Sequence, residues 1–268
     1  MIKDELTAAV VGCGNLGMAL INGLIESGVT PSGLTATRRH TEGLAHFSGK
    51  GVTVTADNRT AIEKRRVIIL SVKPYNVDII LSEIAGGIDP KRHIVVSVAT
   101  GITTAHLAAL LPEGTPLFRA MPNTAADVGK SLTCVSHMHA GPAEIDVVNT
   151  VFSALGKVIF IEEELMDAAT VMGACGIAYV MRFIRAMVQG GIEIGFDAET
   201  AGAIVQQTVM GAAALLIERG AHPESEIDKV TTPKGCTIAG LNEMEHHGFS
   251  SALIKGITTS YEKIDSDT

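Results

Sequence analysis

Apolar residues fall along this chain in two different rhythms. In the first half, short β-branched runs recur at Ala8–Gly12, Leu34–Thr37, Val52–Thr55, Val67–Val72 and His93–Ala99, with later ones at Pro116–Met121, Ser131–Ser136 and Lys157–Ile161. Continuous apolar runs of four to eight residues suit strands buried on both faces. Helix-like segments separate most of them. Asn15–Ser27 is one, with Gly28 placed where a C-terminal cap belongs. Strands alternating with helices predict a parallel sheet covered on both sides.

After about Glu164 the rhythm changes. Met166–Gly195 and Ala198–Arg219 predict long helices, and Gly220, His222 and Pro223 break the chain. A polar turn, "TTPKGCTIAG" (Thr231–Gly240), follows, then helices from about Ile238 and Ser250. No further strand is predicted. The chain thus divides near residues 162–166. Residues 1–163 are expected to form an α/β domain and residues 164–268 an all-helical one. The first long helix is apolar on most of its faces. So few helical residues can hardly bury it alone, so self-association through the helical domain is expected.

Composition narrows the function classes. The 268 residues include 46% apolar residues and carry a formal charge of −8 with no basic run. With 4% aromatics and no Trp, nucleic-acid binding is not expected. Cys13, Cys134, Cys175 and Cys236 show no metal-finger spacing and read as reduced thiols of a cytoplasmic protein. The N-terminal acids precede an apolar run too short for a secretory signal. Ala168–Met181 and Ala201–Ile217 are read as buried helices, not membrane spans, because the first ends at Arg182 and the second contains Gln206 and Gln207.

"VVGCGNLG" places Gly12, Gly14 and Gly17 directly after a strand and at the start of a helix, with Asn15 and Leu16 between them. In this setting Gly12 permits the tight turn and Gly14 a close backbone approach to a pyrophosphate. Gly17 permits close helix–strand packing. An ordinary glycine turn is the competing reading. The second strand then ends in Thr37, Arg38 and Arg39 with no acid. A carboxylate there would repel a 2′-phosphate and an arginine would pair with it, so NADP(H) is preferred, with NADH possible. Loops leaving other strands on the same rim add Ser71, Val72, Lys73 and Pro74, then Ala99 and Thr100, then Asn123, as cofactor contacts. Each could equally be a turn or cap residue. The pairs His137/His139 and His246/His247 lack ligand partners at metal spacing, so no metal is expected. Tyr179 reads as a core residue with a satisfied hydroxyl.

"GCGNLG", "SVKP", "RAMPNT" and "HPESEIDKVTTPKGCTIAGLNEMEHHGF" together resemble the pyrroline-5-carboxylate reductase family across nearly the whole chain. The resemblance implies that residues 1–163 are a Rossmann-type dinucleotide-binding domain and residues 164–268 a helical dimerisation and substrate domain. It also implies reduction of L-1-pyrroline-5-carboxylate, a cyclic imine carboxylate, to L-proline, with the site where cofactor meets the Pro–Gly–Thr turn. It implies that Thr237 hydrogen-bonds the substrate nitrogen, that Asn58 lies near the adenosine end of the cofactor, and that Glu163 lies near the substrate. Physically, Gly235 and Cys236 lead into a helix whose free N–H groups would hold the substrate carboxylate. Thr237 is also suited to cap that helix. The sequence departs from the family in "GACGIAY" (Gly173–Tyr179), where S-G-S-G-P-A-Y is common, and at Lys234, where glycine is usual. A related imine or 2-hydroxyacid-type reductase and a non-catalytic NADP-binding regulator remain alternatives. The absence of lysine from the first long helix speaks against hydroxyacid chemistry.

Overall fold

A computed structural model of the chain describes residues 5–267. The first four residues, with part of the N-terminal segment read above as no secretory signal, lie outside the described residues. One compact unit runs to Ala174 and a second from Cys175 to Ser266.

The first unit holds an eight-stranded sheet in the order β3-β2-β1-β4-β5-β6-β7-β8. The strands are β1 (Ala8–Val11), β2 (Leu34–Thr37), β3 (Thr53–Thr55), β4 (Val67–Leu70), β5 (Ile94–Ser97), β6 (Leu117–Met121), β7 (Ser131–Met138) and β8 (Gly156–Phe160). Each falls within one of the eight predicted runs or extends it slightly. Ala8 pairs with both Leu34 and Val67, which puts β1 at the centre of the parallel part.

Alternate side chains feed two cores, as a pleated strand requires. Ala8 and Val10, with Ile69 and Phe118, pack against Leu20 and Leu24 of the helix Asn15–Glu26 and Val148 and Phe152 of the helix Pro142–Ser153. Ala9 and Val11, with Ile68 and Leu117, pack against Val77 and Leu81 of the helix Val77–Ile84 and Leu107 of the helix Thr104–Leu110. Truncating a residue such as Phe152, which is fully buried, costs about 3–5 kcal/mol in a core of this kind.

The sheet is not parallel throughout. β6 and β7 run antiparallel, with Arg119 opposite Ser136. Their link is a short 3-10 turn, Thr124–Val128, closed by Gly129 at φ 64°. So short a link cannot make the crossover that a parallel pair needs. β8 returns parallel to β7 after the helix Pro142–Ser153.

The expected first long helix is interrupted. Met166–Ala169 and Gly176–Glu193 are α-helical, but Thr170–Cys175 winds as a π-helix, and the unit boundary falls there. Ala198–Arg219 forms as expected, begun by Asp197, which accepts from the backbone N–H groups of Glu199 and Thr200, and ended by left-handed Gly220. A helix the sequence reading missed, Pro223–Val230, follows at once. Cys236–His246 and Phe249–Asp267 complete the second unit. Tyr179 donates to Ser260 Oγ at 2.6 Å, so its hydroxyl is satisfied as expected, though the ring is only half-buried.

The first long helix is left uncovered in the single chain, as expected of so few helical residues. The long apolar helices are not buried within the chain: no residue of Gly176–Glu193 is. Met181, Ile194 and Ile217 are strongly exposed. The helical run Glu163–Glu193 is close in extent to the predicted Met166–Gly195. It and Ala198–Arg219 are long and apolar enough, by length and composition, to cross a membrane.

Candidate functional site

The β1–helix turn is built by steric exclusion. Gly12 has φ 79°, and a Cβ there would lie 2.2 Å from Val72 Cγ1. At Gly17 a Cβ would lie 2.9 Å from Val10 Cγ1 and 3.1 Å from Cys13 Sγ. Both positions therefore exclude any other residue for internal reasons. Gly14 differs: the nearest atom to a Cβ there is 4.0 Å away. The protein itself leaves room for a side chain there. Gly14 also begins the helix Asn15–Glu26, with no side-chain cap and no acid in the first turn. Its first N–H groups are free to meet an anion.

Above this turn lies a cavity of about 600 Å³. Gly12, Gly14, Asn15 and Leu16 form its floor; Arg38 and Arg39 come from the end of β2. Ser71, Val72, Lys73 and Pro74 follow β4, and Ala99 and Thr100 follow β5. All leave the carboxyl ends of their strands, at the rim where open parallel sheets bind nucleotides. Three cations and no carboxylate line it, which suits a polyanion. A smaller cavity of about 230 Å³ shares Gly12, Arg38, Arg39 and Val72 and adds Thr37 and Asn58. Its walls include Ile79 and Ile80, an apolar pair that sequence reasoning passed over. Ile79 is 66% exposed, while Ile80 packs partly against the second core. Asn76 and Val98, also missed, lie within two residues of named positions.

Thr37 and Asn58 are committed to each other. Thr37 is buried, its hydroxyl accepts from Gly12 N at 3.2 Å and donates to Asn58 Oδ1 at 2.7 Å. The Asn58 amide donates to Glu83 Oε2 at 2.9 Å. Thr37 thus props the glycine turn. Burial pushes the Cys13 thiol up to about 12, with the Arg38 charge opposing more weakly, so this residue of the turn stays protonated and unreactive.

Three expected residues of the first unit line neither cavity. Gly17 is buried beneath the turn. Asn123 caps the Thr124–Val128 turn, accepting from Ala125 N at 3.1 Å, and donates to Gly173 O at 3.1 Å. Glu163 has both carboxylate oxygens engaged by Thr104: Oε1 accepts the backbone N–H at 2.7 Å and Oε2 accepts the hydroxyl.

In the second unit the polar turn runs from Thr231 to Gly235, and Cys236 and Thr237 already belong to the next helix. Lys234 takes φ 61°, a left-handed conformation that favours glycine. Gly235, not Thr237, is the N-cap of Cys236–His246. A Cβ at Gly235 would lie 2.5 Å from Thr232 Oγ1, which excludes a larger capping residue. Thr237 is the helix's second residue, exposed, and its hydroxyl makes no hydrogen bond among the described residues. The capping reading of Thr237 is therefore corrected. Cys236 is exposed, and no acid stands in the first turn. Among the described residues no three His, Cys, Asp or Glu side chains gather as a metal site. His137, His139, His246 and His247 are exposed.

Comparison with known proteins covers both units. Residues 163–266 match the family model for pyrroline-5-carboxylate reductase dimerisation. Residues 7–101 match that for NADP oxidoreductase, coenzyme F420-dependent. Pyrroline-5-carboxylate reductase 1 of Dictyostelium discoideum is 44% identical over 95% of this chain, which spans about half (48%) of that protein. Pyrroline-5-carboxylate reductase 2 of the same organism is 41% identical over 98% of this chain and 93% of its own length. The solved pyrroline-5-carboxylate reductase of Coxiella burnetii superposes with a TM-score of 0.93 at 26% identity, covering 98% of each chain.

Proposed function

The chain belongs to the pyrroline-5-carboxylate reductase family, and from that premise we propose that it reduces L-1-pyrroline-5-carboxylate to L-proline with NADPH. The observation that carries the reading is the cation-walled cavity over an uncapped helix start, in a chain related to these reductases from end to end.

Gly12, Gly14, Asn15 and Leu16 hold the pyrophosphate by backbone N–H groups, and Lys73 adds charge. Arg38 and Arg39 take the 2′-phosphate, which makes NADPH the preferred cofactor over NADH. Ser71, Val72, Pro74, Ala99 and Thr100 wall the remainder, with Asn58 toward the adenosine end. When bound, the reduced nicotinamide supplies a hydride to the carbon of the substrate's C=N bond.

The chain's own task is then to bind and orient. The substrate carboxylate docks on the free N–H groups that follow Gly235, at Cys236 and Thr237. The Thr237 hydroxyl hydrogen-bonds the ring nitrogen. The protonated imine needs no acid from the protein: its nitrogen keeps the proton as the double bond becomes single. Neither cavity offers a carboxylate pair for acid–base work, in keeping with that demand. We assign residues 1–163 to cofactor binding and 164–268 to self-association and substrate. Four free cysteines suit a cytoplasmic setting.

The test is direct. Purified protein mixed with the pyrroline and NADPH is expected to consume NADPH and yield proline in equal amounts. Absence of turnover at high concentrations of both would overturn the proposal.

A further inference from the structure

Arg119 lies in mid-strand on β6 with 3% of its side chain exposed. Its guanidinium donates to Asp167 Oδ1 at 2.7 Å and stands 3.8 Å from Glu163 Oε1. Arg119 Nε has no partner among the described residues. A buried arginine is costly unless paired, so this one is committed to holding the two carboxylates in place.

Glu163 passes that constraint on. Its two oxygens grip the N–H and hydroxyl of Thr104, fifty-nine residues away in sequence. Thr104 is buried and opens the helix Thr104–Leu110. It also ends the connection that leaves β5, and Ala99 and Thr100 of this connection wall the larger cavity. The connection is fastened at its start, where Val98 N donates to Leu70 O at 3.1 Å and Ala99 N to Ser97 Oγ at 3.3 Å. Residues 100–102 make no hydrogen bond among the described residues. Ala99 and Ile102 pack on the second core and Thr103 caps the helix, and the grip of Glu163 on Thr104 adds a charged anchor at the far end of this wall.

We propose that Glu163, held by Arg119, is a positioning residue for the cofactor: it fixes Thr104 and thereby the Ala99–Thr100 wall, and it does not touch the substrate. The inference rests on the reading of the cavity as the NADP(H) site. Arg38 and Arg39 lie toward β2, on one side of the glycine turn, while the Ala99–Thr100 wall follows β5 on the other. Loosening that wall should therefore disturb the half of the dinucleotide that carries the nicotinamide and spare the phosphoadenosine half.

Three variants of the full chain test this: Thr104→Val, Thr104→Ser and Glu163→Gln. Each is titrated with NADPH and with 2′,5′-ADP, which lacks the nicotinamide half, and is characterised for kcat, for KM toward the imine and for thermal midpoint. Thr104→Val and Glu163→Gln are expected to bind NADPH about tenfold more weakly, the loss of one charge-assisted hydrogen bond, and to lose kcat to a similar degree. Both should bind 2′,5′-ADP within about twofold of wild type, and Thr104→Ser should restore NADPH affinity. A raised KM for the imine with unchanged NADPH affinity would make Glu163 a substrate ligand and overturn the inference. So would a proportional loss of both nucleotides, which marks a general loss of structure. Should Glu163→Gln fail to fold, Thr104→Val decides alone. Wild-type protein that fails to bind NADPH overturns the dinucleotide reading and this inference with it; wild-type binding unaffected by either Thr104→Val or Glu163→Gln overturns the inference only.

Discussion

Thr37 and Asn58 share a 2.7 Å hydrogen bond across twenty-one residues of sequence, and the same threonine oxygen receives the Gly12 N–H at 3.2 Å. One buried hydroxyl therefore ties together the end of β2, the glycine turn and the helix Asn58–Ile62. Replacing it by the isosteric valine strands the Gly12 donor and the Asn58 acceptor. At roughly 1 kcal/mol for each lost bond, Thr37→Val should weaken NADPH binding about tenfold and lower the thermal midpoint by several degrees. Thr37→Ser should restore both. Titration with NADPH checks this, and an unchanged affinity in Thr37→Val would refute the propping role.

Arg38 and Arg39 line both cavities and are exposed. Solvent screens such charges, so each contributes less than a buried pair would. Even so, Arg38→Ala combined with Arg39→Ala should cost NADPH at least about tenfold in affinity, because charge-assisted bonds to a phosphate are lost. NADH should change by less than about twofold. Equal losses for the two cofactors would remove the 2′-phosphate assignment.

Thr237→Ala separates chemistry from folding. The hydroxyl is exposed and unbonded, and Gly235 already caps the helix. Alanine is a better helix former by about half a kcal/mol, so the thermal midpoint should hold or rise slightly. Turnover should fall about tenfold or more if the hydroxyl meets the ring nitrogen. Steady-state rates equal to wild type would leave Thr237 without a catalytic part.

His93 makes the first unit acid-sensitive. It is buried, Asp89 N donates to its Nδ1 at 2.8 Å, and the Arg92 guanidinium stands 2.8 Å from its Nε2. Burial, and then the charge of Arg92, hold its pKa below the usual 6.5, against a smaller upward pull from Asp89. The unfolded chain therefore takes up the proton first as pH falls. The stabilisation is complete above about pH 6.5 and is lost as pH drops toward the folded value. Urea midpoints measured from neutral pH downward should decline for wild type and decline less for His93→Gln. Parallel curves would exclude His93 as the source.

The strands, and the loops at the rim that carries the larger cavity, were readable because both arise from local pattern. The β-branched runs set the strands, and Gly12, Arg38 and Lys73 sit a few residues beyond strand ends. What sequence could not disclose was contact made over distance. The bond from Thr104 to Glu163 spans fifty-nine residues, and no spacing announces it. The antiparallel β6–β7 pair depended on a tight turn at Gly129, whose φ of 64° is a property of the backbone. Thr237 looked like a cap because threonine caps well, but Gly235 takes the post, since Thr232 crowds it too closely for any side chain. The π segment at Thr170–Cys175 has no signature in residue type.

The uncovered apolar helices set a condition on the second unit. Val180, Met181, Ile194, Ile217 and Ile254 all face outward in the single chain. Surface of that kind gains free energy only when another surface displaces its water. When the covering surface is a second copy, dilution acts as a denaturant: the melting temperature climbs with protein concentration.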